Sequence, residues 1–294
     1  MSVLDQPSRG VPLPLPTTSS ARGTLPRWTL LASLVLVQVA LAIAMQASPV
    51  LGLAHLGAVV VAGLYAAAKR DALLLTCTCA YLVGSEVLWR QVRAPIFYQA
   101  APYTLILLSG IGLVMLGRLG RDARTAILYI GLLLPSAVAT VRVAGTGSRE
   151  MIAFALSGPV ALAVFVAFMS QMQASPAAYR KILWTVVLSA VAPLTVAVTN
   201  IRAALADART IKFSDQSNFI TSGGFGPVQV SAVLGLGVLA AVLLTMTERD
   251  RMVRLLAGFL ATAFAVQSLL TVSRGGMTAT AIGLSALAIS QANN

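Results

Sequence analysis

Acidic residues and histidine are scarce in this sequence, which has nine Asp and Glu and a single His among 294 residues. Its two cysteines, Cys77 and Cys79, are two positions apart in an apolar run, which excludes a disulfide framework and a zinc site. Walker loops, dinucleotide-binding glycine motifs and Ser–His–Asp sets are also missing. We therefore expect no metal or other cofactor, and we interpret His55 as a packed, hydrogen-bonded core histidine.

Charge of either sign is rare as well. Charged residues make up 10% of the chain and hydrophobic residues 57%, with a mean hydropathy of +0.85. This composition is far from that of soluble domains and is typical of a protein with many membrane spans. The net charge of +12 would favour nucleic acid in a soluble protein, but here the basic residues lie between apolar runs. The expected surroundings are membrane lipid, and no nucleic-acid partner is expected.

Ten apolar runs approach the roughly 20 residues that a membrane-spanning helix requires. They predict an all-α transmembrane bundle of about ten spans over residues 28–291, with a short stub at 292–294. Residues 1–27 are rich in proline, serine and threonine, which predicts a disordered cytoplasmic tail. The ten runs lie at 28–47, 50–68, 72–89, 99–117, 125–141, 151–171, 181–201, 227–246, 255–272 and 275–291.

A cytoplasmic N-terminus puts the majority of Lys and Arg inside, in agreement with the positive-inside rule. The remaining basic residues are at or near the outer helix ends, and nearly all of them are arginine. Its planar fork of donors matches phosphate oxygens, so the set predicts an anionic ligand outside, although snorkelling to lipid headgroups could explain any one of them. These residues are Arg90, Arg93, Arg142, Arg149, Arg202, Arg209, Lys212 and Arg274.

Glu86 and Arg90 end the third apolar run at i, i+4 spacing, which places them on one helix face. An acidic residue within a span is a functional-site candidate. Glu86 either orients Arg90 towards a ligand phosphate, acts on a sugar hydroxyl as a catalytic group, or forms a purely structural ion pair. Arg149 follows a glycine-containing loop at the start of the sixth run, where unpaired backbone N–H groups also favour anions.

The longest polar stretch covers residues 201–226. Its first part is predicted to form a short amphipathic helix in the outer interface. Glycines before Gly226 and Pro227 predict a sharp turn into the next span, where Gln229 faces a cavity or a neighbouring helix.

The last run begins "TVSRGGMTATAIGL". Gly275, Ala279 and Gly283 form a stripe of small residues that permits close helix packing. Arg274, after Ser273, either holds an anion at this helix N-terminus or caps carbonyls of the ninth run. Internal prolines in the fifth, sixth and seventh runs predict kinks around a cavity.

Four segments together resemble the O-antigen ligase and polysaccharide polymerase superfamily of bacterial inner-membrane proteins. They are "YLVGSEVLWR", "REMIAFALSGPVALAV", "SGGFGPVQVSAVLGLG" and "TVSRGGMTATAIGL", and the resemblance covers about residues 70–290. It implies transfer of glycans from undecaprenyl diphosphate on the periplasmic side, without metal or nucleotide sugar and with other polysaccharide assembly proteins as further partners. By position, Arg274 corresponds to a family arginine near the diphosphate, while Gly226, Pro227 and Gln229 match a glycine-proline element.

The chain departs from that family in one respect. Members usually have about twelve spans and a large late outer loop, which in the ligases supplies a histidine, whereas this sequence has no such histidine. Either the sequence is a fragment of a longer chain or it belongs to a split or inactive form, and we expect a fragment. The residues do not decide between polymerase and ligase. Two other functions stay open: a transporter or flippase for anionic or lipid-linked glycans, and a non-catalytic subunit of an export complex.

Overall fold

The computed structural model describes residues 26–117, 123–145, 148–207 and 217–292. Within these ranges the chain is all-helical. Eight of its helices are long and apolar enough to cross a membrane, α4 is apolar but shorter, and α10 is not among the eight. The prediction of an α-helical membrane bundle is confirmed, but the count of about ten spans is not. The helices are α1 (Arg27–Ala47), α2 (Leu51–Ala68), α3 (Ala72–Gln91), α4 (Ala100–Leu116), α5 (Ala123–Ala144), α6 (Ser148–Met169), α7 (Pro176–Ala206), α8 (Pro227–Thr247), α9 (Arg251–Leu270) and α10 (Arg274–Ala292).

Local sequence signals set several helix ends. The backbone N–H groups in the first turn of a helix have no partner within the helix. In α3, α7 and α9 one of these groups donates to the side chain of the preceding residue, which is Asp71, Ser175 and Asp250 respectively. Helix α8 begins at Pro227, a position where a missing N–H costs nothing. Helix α4 ends at Gly117 in the left-handed conformation, with φ +68°.

Contacts between helix termini define two ends of the bundle. At the first, the Glu248 end, the Glu248 carboxylate after α8 accepts two hydrogen bonds of 2.8 Å from Arg27 and one of 3.0 Å from the Trp184 indole. At the second, the Arg90 end, the end of α3 meets the α3–α4 connection and the connection that precedes α8. Arg27 therefore begins α1 and is paired, although the sequence assigned it to the tail. Residues 1–25 and 293–294 lie outside the described residues.

One buried cluster lies chiefly among α3, α7, α8 and α9, and a second lies among α1 to α4, α6 and α7. Val187, Leu234 and Phe264 are fully buried in the first cluster. Gly84 allows α3 to approach the backbone of α7 closely, since a β-carbon at that position would overlap Ser189. Helices α5 and α6 pair with each other, and α6 packs on α4. The bundle thus has a dense part and a more peripheral α5–α6 pair.

The stripe of small residues predicted on α10 is displaced. Gly276 and Gly283 contact α8, and a β-carbon on Gly276 would overlap Ser231, whereas Gly275 and Ala279 are exposed. The spacing of seven between Gly276 and Gly283 returns almost to the same face of an α-helix, because it is close to two turns. A repeat of four drifts around the helix and cannot follow one straight neighbour.

The seventh helix is longer than predicted. Helix α7 extends over Pro176–Ala206 and continues through Pro193. Residues 201–206, assigned from the sequence to a separate interfacial helix, are its last turns, so that assignment is wrong for them. The helical periodicity there belongs to α7 itself. After the undescribed residues 208–216, the connection 217–226 packs into the bundle with Thr221 and Ser222 buried.

Candidate functional site

Glu86 and Arg90 form the ion pair that their i, i+4 spacing predicts. The Arg90 guanidinium also donates a hydrogen bond of 2.9 Å to the Tyr98 carbonyl, and its carbon lies 3.6 Å from the centre of the Tyr98 ring. The Phe225 ring centre is 5.7 Å away. A carboxylate, a carbonyl and two aromatic faces therefore hold this cation. Tyr98 and Phe225 lie in connections, where helical periodicity gives no signal, and sequence reasoning missed both.

A small polar cavity adjoins this cation. It has a volume of about 110 Å³ and is lined by the end of α3, the α3–α4 connection and the start of α4, including Glu86, Trp89, Arg90, Arg93 and Phe97. At about 30 Å³ of liquid volume per water, it has room for a small polar group. We call it the Arg90 pocket. Two guanidinium groups in its lining make it suitable for an anion.

An apolar cavity of about 340 Å³ lies between α3, α4, α6 and α8. On the α6 side it is lined by Gly158, Ala161 and Phe165, which share one face of that helix. We call it the α6 cavity. Glu86 and Ala101 line both this cavity and the Arg90 pocket. A polar and an apolar space therefore meet at the level of Glu86.

A chain of hydrogen bonds fixes Trp89 in the wall of the Arg90 pocket. The Trp89 indole donates to His55 Nδ1 at 2.9 Å, His55 Nε2 lies 3.2 Å from the Tyr81 hydroxyl, and that hydroxyl donates to Gln38 at 3.0 Å. Because an indole N–H can only donate, the proton of the neutral imidazole is on Nε2. The predicted hydrogen bonding of His55 is confirmed, and one of its partners, Trp89, lines the pocket. The residue is half-buried and does not lie in the core.

The connection that carries Phe225 is held by three helices at once. The backbone carbonyls of residues 220, 221 and 222 each accept a hydrogen bond from a side-chain amide of a different helix. The donors, in the same order, are Asn200 of α7 at 2.8 Å, Gln267 of α9 at 2.6 Å and Gln91 of α3 at 3.0 Å. Amides within spans rarely stay unpaired, because lipid offers no hydrogen bonds. These hydrogen bonds fix the position of the connection along the bundle, and therefore the place where Phe225 meets Arg90.

The predicted turn before α8 is present. Gly223 and Gly224 have φ of +71° and +78°, values that favour glycine. Gly226 precedes α8, Pro227 is buried as its first residue, and Gln229 is exposed. These three residues set the direction of α8 immediately after Phe225.

Arg274 is exposed at the start of α10. The carbonyls at the end of α9 already have other partners. The Leu270 carbonyl accepts a hydrogen bond of 2.6 Å from Thr221 Oγ1, and the Thr271 carbonyl accepts one of 2.9 Å from the Asn218 N–H. Capping of α9 by Arg274 is thus not needed. Ser273 is fully buried, and its hydroxyl has no hydrogen-bond partner in the described part of the chain.

Other predicted ligand residues are not gathered around Arg90. Arg142, Arg149 and Arg202 are exposed, on α5, α6 and α7 respectively, and the described residues show no hydrogen bond from them to the Glu86–Arg90 pair. Arg209 and Lys212 lie outside the described residues. Of the predicted set, the structure brings together Glu86 and Arg90, with Arg93 beside them.

The fold and this site define an α-helical membrane protein with a polar pocket beside an apolar cavity. Comparison of the chain with protein-family models, curated proteins and solved structures finds no match.

Proposed function

We propose that this protein binds a glycan linked to undecaprenyl diphosphate and takes part in transfer or polymerisation of that glycan, in exopolysaccharide or O-antigen assembly. The observation that supports this most directly is the meeting of the Arg90 pocket and the α6 cavity at Glu86. A lipid diphosphate joins an anionic head to an apolar chain, so it needs a cationic space directly beside an apolar one.

The distribution of charge supports a location in the bacterial cytoplasmic membrane with the Arg90 end outside. Arg27, Arg180 and Lys181 lie at the Glu248 end, and so does the start of α9 with Arg251 and Arg254. By the positive-inside rule this end, with the N-terminus, is cytoplasmic. The Arg90 pocket then faces the periplasm, where lipid-linked glycans are assembled in the family that the sequence resembles.

The proposed chemistry is displacement at the anomeric carbon of the lipid-linked sugar. The bond from this carbon to the diphosphate oxygen breaks, and a bond to an acceptor hydroxyl oxygen forms. Glu86 takes the proton of that hydroxyl as a general base. Arg90 and Arg93 stabilise the negative charge of the leaving diphosphate through charge-assisted hydrogen bonds, a contribution that grows as the charge develops.

Exposed arginines at two helix N-termini are proposed to take part in the same binding. Arg149 and Arg274 lie at the starts of α6 and α10, where the helix dipole also favours anions. They are proposed to contact phosphate or acidic sugar groups outside the Arg90 pocket, as are Arg142 and Arg202 near the ends of α5 and α7. The same role is proposed for Arg209 and Lys212, which lie outside the described residues.

The test is a binding and transfer experiment with the purified full chain in lipid nanodiscs. Undecaprenyl diphosphate is expected to bind more tightly than undecaprenol, and the difference should shrink at high salt. Lipid-linked glycans extracted from the source bacterium should be elongated or transferred on addition of the protein. Equal binding of the two lipids would refute the proposal. Diphosphate-dependent binding with lipid movement across vesicles and no new glycosidic bond would instead establish a flippase.

A further inference from the structure

Four side chains from four separate segments stack into one column at the Arg90 end. Phe154 of α6 lies 5.1 Å from Tyr98 of the α3–α4 connection, measured between ring centres. Tyr98 covers Arg90 of α3 at 3.6 Å, and Phe225, just before α8, lies 5.7 Å from the same guanidinium. Aromatic and cation–π contacts at these distances are attractive. We call this set the aromatic column.

The column borders the Arg90 pocket at one end and lies next to the α6 cavity at the other. Phe154 is four residues before Gly158 and therefore shares the helix face that lines the α6 cavity. Tyr98 and Arg90 line the Arg90 pocket. The contact between Tyr98 and Phe154 thus connects the wall of the Arg90 pocket to the helix face that lines the α6 cavity.

Helix α6 is held differently on the two sides of Pro159. After this proline, Phe168 is fully buried against α4, and a β-carbon on Gly112 would lie 2.5 Å from its ring. Before the proline, Phe154 meets Tyr98. Helix α6 otherwise packs chiefly on α4 and α5. Since proline removes one backbone hydrogen bond, it is the natural bending point between a fixed half and a half held by the column.

We propose that the aromatic column is a latch, and that its release swings the half of α6 before Pro159 away from Tyr98 and joins the Arg90 pocket to the α6 cavity. A lipid with an anionic head must occupy both spaces at once, so the partition between them has to open. An anion that binds Arg90 competes with Glu86 and the Tyr98 carbonyl for its donors, which loosens the column from within. Only the identity of the opening ligand rests on the proposed function.

Distances between spin labels test this motion in the full chain, with Cys77 and Cys79 replaced by alanine. One label pair, at Met151 and Leu269, reports the column half of α6 against α9. A control pair, at Val166 and Met252, reports the other half, and all four sites are exposed. Undecaprenyl diphosphate is expected to add a longer distance for the first pair and to leave the control distance unchanged.

Variants separate the latch from the ligand. Tyr98→Ala and, from the other side, Phe154→Leu should give the longer distance without any lipid. Phe219→Ala serves as a control, because Phe219 is an exposed aromatic at the same end, outside the column. If both column variants keep the wild-type distance, or if bound undecaprenyl diphosphate leaves it unchanged, the latch is refuted. If the variants open α6 but undecaprenyl diphosphate does not bind, the latch stands and the proposed function fails.

Discussion

Arg90 and Tyr98 contact each other twice: the guanidinium carbon lies 3.6 Å from the ring centre, and the guanidinium donates to the Tyr98 carbonyl at 2.9 Å. The arginine side chain is only 15% exposed, and Glu86 completes its partners. These contacts hold the guanidinium in one place before a ligand binds, and an anionic ligand then replaces some of them with its own oxygens.

Replacing Arg90 tests whether its planar fork is needed. Arg90→Lys keeps the charge but loses the fork and the stacking area, so we expect it to weaken undecaprenyl diphosphate binding about as much as Arg90→Gln does. A loss of about 1.5–3 kcal/mol, typical of hydrogen bonds to charged groups, corresponds to at least a tenfold weaker Kd. Titration in nanodiscs measures it, with Arg254→Gln at the Glu248 end as the control. Wild-type affinity of Arg90→Lys would exclude bidentate recognition.

Glu86→Gln should separate binding from chemistry. The amide has the same shape but cannot take up a proton, so glycan transfer is expected to fall about 100-fold or more. Removal of a carboxylate that competes for Arg90 should leave lipid binding equal to or tighter than wild type. Steady-state rates and binding measured on one preparation check both. Unchanged turnover would limit Glu86 to a structural role.

Filling the α6 cavity should exclude the lipid chain. Gly158 has open space where a β-carbon would lie, so Gly158→Phe adds a ring without a backbone clash. We expect loss of binding for undecaprenyl diphosphate, with binding of a water-soluble diphosphate retained. Gly57→Phe is the matched control, because Gly57 also has open space and lies on α2, away from this cavity. Equal lipid affinity of the two variants would contradict a chain site here.

Loss of Arg27 should destabilise the fold, and removal of the charge on Glu248 in the same variant should restore most of the stability. The Glu248 side chain is 2% exposed and that of Arg27 is 48% exposed. Arg27→Ala therefore leaves a buried carboxylate with the Trp184 indole alone, at a cost of about 1–3 kcal/mol for its lost partner. Glu248→Gln in that variant should restore most of the Tm, because a neutral amide tolerates burial. Thermal unfolding in detergent measures this, and equal Tm values for Arg27→Ala and wild type would contradict it.

The register of α10 against α8 gives a paired test. Gly276→Val should disrupt packing, because a β-carbon there overlaps Ser231, whereas Gly275→Val meets only Val228 at an ordinary 3.7 Å. We expect Gly276→Val to lower Tm by several degrees and Gly275→Val to leave it near wild type. The reverse order would favour the stripe predicted from the sequence.

Sequence patterns located the helices well and their faces less well. Apolar runs of membrane length mark where the helices lie, and each of the ten runs overlaps one helix. The i, i+4 spacing of Glu86 and Arg90 was sufficient to predict their pair, since it is a local property of one helix. Apolar residues cover all faces of these helices, because they are suited both to contact with lipid and to the core. The sequence therefore does not show which face of a helix packs against the other helices. This is why the stripe on α10 was placed one position away.

The amino-acid sequence by itself determined that the chain is a helical membrane protein, roughly where its helices lie and that Glu86 pairs with Arg90, because hydropathy, capping and i, i+4 contacts act within one segment. Only the tertiary structure decided that Tyr98, Phe154 and Phe225 meet at Arg90, and that a polar pocket adjoins an apolar cavity there. Those contacts join residues far apart in the chain, and they depend on how the helices pack against each other.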